Sequence, residues 1–169
     1  MASDLKYAVF ETCAGWVGVL GSRLGLRRLT LPLDSASEAC VELGGELSLA
    51  VSSPDFFSDV TGRLKRYFEG EKITFPDKLD LSGASPFKRL VWAEARRIPY
   101  AETRSYRWVA RGMGRPLAAR AVGQAMGRNP VPIIIPCHRV VASGSKLGGF
   151  GGGLEMKKYL LALEAGHKF

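Results

Sequence analysis

The pattern of residues changes close to residue 80, and this change is the strongest constraint on the fold. Before it, short apolar or alternating runs are separated by glycines, which is typical of β-hairpins. After it, apolar residues recur at helical spacing. The segment between the two parts, residues 72–85, is rich in Pro, Asp, Gly and Ser. We therefore predict two domains, at residues 1–80 and 81–169.

The first domain is predicted to be a small α/β scaffold without a catalytic motif. Three strands are expected in it, at residues 7–10, 16–20 and 26–31. Asp34-Ser35 can cap a helix that runs to about Leu43. A second helix is expected over residues 54–68, with an apolar stripe formed by Phe57, Val60, Leu64 and Phe68.

The second domain is predicted to be mainly helical, which gives the chain an α/β (α+β) fold with one three-stranded antiparallel sheet. Its helices are expected at residues 86–97, 106–112, 117–126 and 154–165. The buried face of the first of these is predicted to contain Phe87, Leu90, Val91 and Ala95. Thr103 or Ser105 caps the second helix, and Pro116 suits the first turn of the third. These two helices, joined by a glycine turn, form a helix-turn-helix outline.

The chain is basic, with a formal net charge of +8 and a pI of about 9.7. Its arginines are concentrated in the second half, which favours a polyanionic partner, nucleic acid first and an anionic membrane surface second. No apolar run approaches the ~18 residues of a transmembrane helix, and the N-terminus lacks the layout of a signal peptide. A cytoplasmic protein without a membrane partner is therefore expected.

The three cysteines, Cys13, Cys40 and Cys137, are far apart and form neither a disulfide framework nor a CxxC metal pair. Only two histidines accompany them, so a closed zinc site is not expected. We predict that the protein uses no metal and no cofactor.

An apolar run at residues 131–135 leads directly into Pro136-Cys137-His138-Arg139-Val140. The thiolate is the reactive form of cysteine, and a cysteine with a base and cations nearby is a candidate for covalent chemistry. The alternative is a buried structural thiol, because free cysteines are among the most often buried residues.

The predicted helix at residues 117–126 consists mainly of small residues and carries one arginine, Arg120. A major-groove reader would present several long polar side chains. A helix of small residues can instead approach a surface closely, as in the minor groove, where one arginine can enter the base stack. A tightly packed core helix with a surface arginine is the alternative.

Three strings together resemble the O6-alkylguanine-DNA alkyltransferase family, also called methylated-DNA–protein-cysteine methyltransferases. They are Arg120-Ala121-Val122-Gly123, Asn129-Pro130 and Pro136-Cys137-His138-Arg139-Val140. The resemblance covers about residues 84–166, and the first half of the chain matches in outline only. It implies a ribonuclease H-like first domain and the irreversible transfer of an alkyl group from guanine O6 in DNA to Cys137.

The resemblance also implies the catalytic roles. His138 is the base, acting through a water, and Glu164 orients its imidazole. Tyr106 donates a hydrogen bond to the departing guanine. The residues themselves give a reason for the water, because neighbouring side chains in extended backbone point to opposite faces, which keeps Cys137 and His138 apart.

Further roles follow from the same resemblance. Arg120 fills the gap left by a flipped nucleotide, and Asn129 is a structural hinge. Other contacts to DNA are expected from Ser105, Ala119, Ala121 and Gly123. The alkylguanine pocket is expected to be formed by Tyr106, Pro132, Val140, Phe150 and Gly151. Phe150 replaces a frequent tyrosine of the family, and Gly151 replaces a serine of some members.

We therefore expect a monomeric, single-turnover repair protein that acts on double-stranded DNA. Acceptance of O4-alkylthymine and cooperative binding along DNA stay open. Three alternatives are a module that binds lesions without reacting, a sequence-specific helix-turn-helix regulator and a cysteine hydrolase that turns over an acyl substrate.

Overall fold

The computed structural model describes residues 4–144 and 146–167. Contacts within the chain divide it into two compact units, with the division after Leu81. In the part that is described, no helix combines the length and the apolar character needed to cross a membrane.

The first unit contains a four-stranded sheet in the order β3-β2-β1-β4. Its strands are β1 (Lys6–Thr12), β2 (Gly15–Ser22), β3 (Gly25–Leu29) and β4 (Val51–Ser52). The first three pair antiparallel, as predicted, whereas β4 is parallel to β1. The fourth strand was not predicted, because two exposed residues carry no alternating pattern.

Two helices pack with this sheet, α1 (Ala36–Leu43) and α2 (Ser58–Phe68). The predicted cap of α1 is confirmed, since the Ser35 hydroxyl accepts the backbone N–H of Glu38 at 3.1 Å. The predicted helix at residues 54–68 begins as a 3₁₀ turn, Pro54–Phe57, and becomes α-helical at Ser58. The apolar stripe of this helix is buried, as predicted. A second 3₁₀ turn, Gly45–Leu49, lies between α1 and β4.

The second unit is mainly helical. Its helices are α3 (Pro86–Ala95), α4 (Tyr106–Gly112), α5 (Ala119–Met126) and α6 (Leu154–Glu164). Two short strands, β5 (Arg104–Ser105) and β6 (Val140–Val141), pair in parallel, and a 3₁₀ turn, Cys137–Arg139, precedes β6.

Two details of the second unit correct the predictions. Leu90 is exposed, and the indole of Trp92 is buried instead, where its Nε1 donates to the Ala125 carbonyl of α5 at 3.0 Å. The helix expected from residue 117 begins at Ala119, because the Ala118 N–H closes a turn on the Arg115 carbonyl. Leu117 consequently lies in that turn, where the residue is 99% exposed.

Candidate active site

Helices α4 and α5 form the predicted helix-turn-helix. The Ser105 hydroxyl caps α4 by accepting the Trp108 N–H at 3.0 Å, which makes Tyr106 the first residue of the helix. Helix α5 buries one face and leaves Arg120 and Ala121 exposed on the other. The buried face consists of Val122, Ala125 and Met126.

Cys137 begins the 3₁₀ turn and is buried, with 5% of its surface exposed. Extended backbone was expected here and is not found, because the Arg139 N–H bonds to the Pro136 carbonyl and closes a turn. With three residues per turn, the side chains of Cys137 and His138 still point in different directions.

The Asn129 side chain makes three hydrogen bonds around Cys137. Its Nδ2 donates to Cys137 Sγ at 3.0 Å and to the Ile135 carbonyl at 2.8 Å. Its Oδ1 accepts the Val131 N–H at 2.9 Å. The side chain therefore joins the segment after α5 to the Cys137 thiol.

The surroundings of Cys137 keep its thiol protonated near neutral pH. Burial raises the pKa of Cys137 to about 11. The Asn129 hydrogen bond, the positive charge of Lys157 and nearby backbone N–H groups act in the opposite direction and do not offset burial. Conversion of this thiol to the nucleophilic thiolate near neutral pH therefore requires a base.

His138 and Glu164 form a fully buried pair, with His138 Nε2 2.6 Å from Glu164 Oε2. The carboxylate also accepts from Arg139 Nε at 2.8 Å, from a second Arg139 nitrogen at 3.0 Å and from the Ala101 N–H at 3.1 Å. Arg139 lies within the motif, but nothing in the sequence indicated that it donates to Glu164. The carboxylate is thus fixed by four donors.

Burial and charge set the protonation of this pair. Burial opposes ionisation of Glu164, but hydrogen bonds from His138 and Arg139 outweigh it and hold the pKa of the carboxyl far below its usual range. Burial lowers the pKa of His138 and outweighs the attraction of Glu164, while Arg139 and Lys157 add to the lowering. A neutral imidazole that donates Nε2–H to Glu164 can accept a proton at Nδ1.

Tyr106 lies between two glycines that leave room for its ring. Its hydroxyl donates to the Gly149 carbonyl at 3.4 Å, and burial raises its pKa. A β-carbon at Gly123 of α5 would lie 3.7 Å from the ring, and one at Gly148 would lie 2.6 Å from the hydroxyl oxygen. A side chain at Gly148 would therefore force Tyr106 to move.

The other residues predicted for the pocket have different exposures. Val140 is buried, Pro132 and Phe150 are half-buried, and Gly151 is exposed. Between Pro132 and the nucleophile, Ile133 is buried with a φ of 74°, a left-handed conformation that β-branched residues rarely adopt. Among the residues predicted to contact DNA, Ala119 and Gly123 are half-buried.

Lys157 of α6 is a buried cation that the sequence analysis did not include in the site. Its Nζ donates to the carbonyls of Val140 and Gly149 at 2.7 and 3.2 Å, and also to that of Leu147. Lys157 and Lys158 are adjacent in α6, and the sequence does not indicate which of them is buried. Over residues 4–144 and 146–167, no group of three His, Cys, Asp or Glu side chains is arranged to hold a metal ion.

The fold and the site define a class of protein in which a buried free cysteine, followed by a His-Glu pair, is joined to a helix-turn-helix. Comparison with known proteins identifies the family to which such proteins belong. Residues 86–166 match the family described as 6-O-methylguanine DNA methyltransferase, DNA binding domain. The Methanosarcina acetivorans methylated-DNA–protein-cysteine methyltransferase is 38% identical over 160 residues, 95% of this chain and 98% of that protein. The chain therefore belongs to the methylated-DNA–protein-cysteine methyltransferase family.

Other relatives support this assignment. The Mycolicibacterium paratuberculosis protein of the same name is 50% identical over 115 residues, 68% of this chain and 69% of the relative. The crystal structure of Mycobacterium tuberculosis OGT in complex with DNA has a TM-score of 0.82 and 37% identity, with 95% of this chain and 93% of that chain covered. The O6-methylguanine-DNA methyltransferase of the archaeon Pyrococcus kodakaraensis has a TM-score of 0.71 and 29% identity, covering 94% and 98%.

Proposed function

We propose that this protein repairs DNA by moving an alkyl group from guanine O6 to Cys137. The observation that carries the proposal is the buried thiol directly followed by a His138–Glu164 pair, next to a helix-turn-helix. A thiol with an adjacent base and a group that orients this base is equipped for one covalent transfer, even though burial keeps the thiol protonated.

The atoms balance without a cofactor. The bond between O6 and the alkyl carbon breaks, and a bond between Cys137 Sγ and that carbon forms. The thiol proton passes through a water to His138 Nδ1, and the guanine leaves as an anion that takes a proton from solvent. The imidazolium then releases the thiol proton to solvent, so that one proton moves overall from the thiol to the guanine. Water does not cleave the thioether, so each molecule reacts once.

Protein groups support each part of this reaction. Glu164, held by Arg139, stabilises the imidazolium that forms on His138. The Tyr106 hydroxyl donates to the guanine as negative charge develops on it. The main-chain carbonyls of Cys137 and Val140 accept from the guanine amino group.

Access to the base requires that the nucleotide leave the duplex. Helix α5 presents Arg120 beside small side chains, which suits close approach to the minor groove. Arg120 enters the stack, while Ser105, Ala119, Ala121 and Gly123 lie against the DNA. Gly151, Phe150 and Pro132 then form walls of the base pocket.

Intact-mass and peptide analysis after mixing the protein with a duplex that contains one O6-methylguanine tests this proposal. We expect one added methyl per molecule, on the Cys137 peptide. Cys137→Ala should gain none, and Cys13→Ala, which removes an exposed thiol, should react like the wild type.

Two outcomes would contradict the proposal. Tight binding of the lesion without a change in mass would identify a module that marks lesions. Methylation of Cys13 with Cys137 unmodified would place the acceptor elsewhere.

A further inference from the structure

Leu117 is the most exposed large apolar residue in the part of the chain that the structure describes, at 99%. It lies one residue before Ala118, the N-cap of α5, and three residues before Arg120. A leucine in this position often packs against the fourth residue of the helix, which here is Val122. An exposure of 99% excludes that packing, so the Leu117 side chain contributes almost nothing to the stability of its own unit.

The backbone on both sides of Leu117 is held in place, although the side chain is not. The Arg115 N–H bonds to the Ala110 carbonyl of α4 at 2.9 Å, and the Ala118 N–H bonds to the Arg115 carbonyl at 2.9 Å. Pro116 restricts the backbone inside this turn. A leucine on a fixed backbone loses only side-chain freedom when it is bound, which favours its use as a contact.

The charge of the surrounding chain indicates what binds there. Residues 103–154 contain eight Lys and Arg and no Asp or Glu. Four arginines close to Leu117 in the sequence are exposed, Arg111, Arg115, Arg120 and Arg128. A positive surface attracts a polyanion and repels a second copy of itself. The exposed positions of α5 carry no large apolar side chain, so the helix lacks the apolar face that binds a membrane. This surface therefore fits a DNA duplex.

The minor groove of a duplex offers a leucine two kinds of apolar surface, the steps between stacked bases and the deoxyribose carbons along the groove walls. In the proposed complex Arg120 occupies the stack, which leaves the wall for Leu117. We propose that Leu117 packs against deoxyribose beside the flipped nucleotide and contributes to binding in a way that salt does not screen. The inference rests on the proposed approach of α5 to the minor groove.

Two substitutions test this contact in different ways. Leu117→Ala removes the apolar surface, whereas Leu117→Lys replaces it with a cation that reaches a phosphate. Val41→Ala and Val41→Lys are the matched controls, because Val41 lies on α1 of the first unit and is 81% exposed. Thermal melting shows that each variant is folded, and exposed positions should leave the midpoint nearly unchanged.

The first measurement is the affinity for an undamaged duplex, by fluorescence anisotropy at several salt concentrations. For Leu117→Ala we expect an affinity about five- to tenfold lower at every salt concentration, with the slope against salt unchanged. Leu117→Lys should make that slope steeper by about one, because one more phosphate is neutralised. Val41→Ala should match the wild type, and Val41→Lys should change the slope much less than Leu117→Lys.

The second measurement locates the contact on the DNA. Hydroxyl radicals cleave deoxyribose that is exposed in the minor groove, so a side chain packed on the sugar protects it. The duplex contains one O6-methylguanine, and every variant also carries Cys137→Ala, so that the lesion is not removed. Leu117→Ala should expose sugars next to the lesion that the protein with Leu117 protects, and Val41→Ala should not.

Three outcomes would overturn the inference. One is wild-type affinity and an unchanged footprint in Leu117→Ala, and another is an equal loss of affinity in Val41→Ala. The third is a loss of binding to vesicles of anionic phospholipid in Leu117→Ala without a loss of DNA binding, which would assign the leucine to a membrane. Failure of the wild type to transfer methyl, with the expected results for Leu117, would reject the proposed function alone.

Discussion

Cys137 couples folding to pH on the alkaline side. Its pKa is about 11 in the folded protein and near its ordinary value of 9.0 in the unfolded chain. A raised folded-state pKa gives stability that is complete below the unfolded value and is lost as the pH rises toward the folded value. The maximum loss is about 2 to 3 kcal/mol.

Urea unfolding at pH 8 and pH 10.5 measures this effect. We expect the free energy of unfolding to fall more steeply in the wild type than in Cys137→Ala. Cys13→Ala should keep the wild-type dependence, since that thiol is exposed. Parallel curves for wild type and Cys137→Ala would show that the thiol is not buried in solution.

Ala101 offers a second prediction, because its φ of 64° is unfavourable for a residue with a β-carbon. Its N–H donates to Glu164, so the strain lies next to the His-Glu pair. Ala101→Gly keeps the N–H and should raise the free energy of unfolding by about 0.5–1 kcal/mol. Ala162→Gly, within helix α6, should lower it by about 1 kcal/mol. Destabilisation by both substitutions would show that Ala101 is not strained.

At the scale of elements, α5 combines a buried apolar face with an exposed face that carries Arg120, Ala121 and Gln124. Arg120→Ala should slow repair of duplex DNA by about 5- to 30-fold, because the side chain no longer replaces the lost base stacking, a contribution of about 1–2 kcal/mol. Reaction with the free base O6-methylguanine should be unaffected. Arg128→Ala removes the same charge just beyond α5 and should reduce duplex repair less. An equal loss on the free base would place Arg120 in the chemistry rather than in base flipping.

Two glycines of the glycine-rich segment share a backbone conformation but differ in what a β-carbon would contact. Gly148 and Gly144 both have a φ of 74°, but only a β-carbon at Gly148 would meet the Tyr106 hydroxyl. Gly148→Ala should displace Tyr106 and slow methyl transfer at least tenfold, by removing about 1.4 kcal/mol or more of transition-state stabilisation. Gly144→Ala carries the same backbone strain without the contact and should transfer at nearly the wild-type rate. Equal rates for the two variants would exclude the steric role of Gly148.

The elements with strong periodicity were predictable from sequence. Helix α2 was located from its apolar stripe, and Ser35 was located as a cap because hydroxyls satisfy free N–H groups. Strand β4 and the late start of α5 were not predictable, since both depend on hydrogen bonds to distant or turn residues. In the site, the motif indicated Cys137 and His138. The burial of Lys157 and the four donors around Glu164 arise only from tertiary packing.

For the whole molecule, charge is divided unevenly along the chain. Residues 1–81 contain nine Lys and Arg against 12 Asp and Glu, a formal net charge of −3. Residues 82–169 contain 15 Lys and Arg against four Asp and Glu, a formal net charge of +11. Binding of a polyanion is therefore expected to depend on the second unit.

Salt dependence tests this expectation. If about six phosphates are neutralised, affinity for an undamaged duplex should fall by about 10³ between 50 and 200 mM salt. Fluorescence anisotropy at several salt concentrations gives the slope. The single-turnover transfer rate at saturating protein should change little over the same range, because the reacting groups are buried. An affinity independent of salt would reject phosphate contacts as the main source of binding.

The burial of Cys137 also determines how the protein withstands oxidants. Peroxides attack thiolates, and the product, a sulfenic acid, can no longer accept an alkyl group. With its thiol protonated and 5% exposed, Cys137 is protected, while the exposed Cys13 meets the oxidant first. A protein that reacts only once thereby keeps its acceptor reduced until a damaged base enters the pocket.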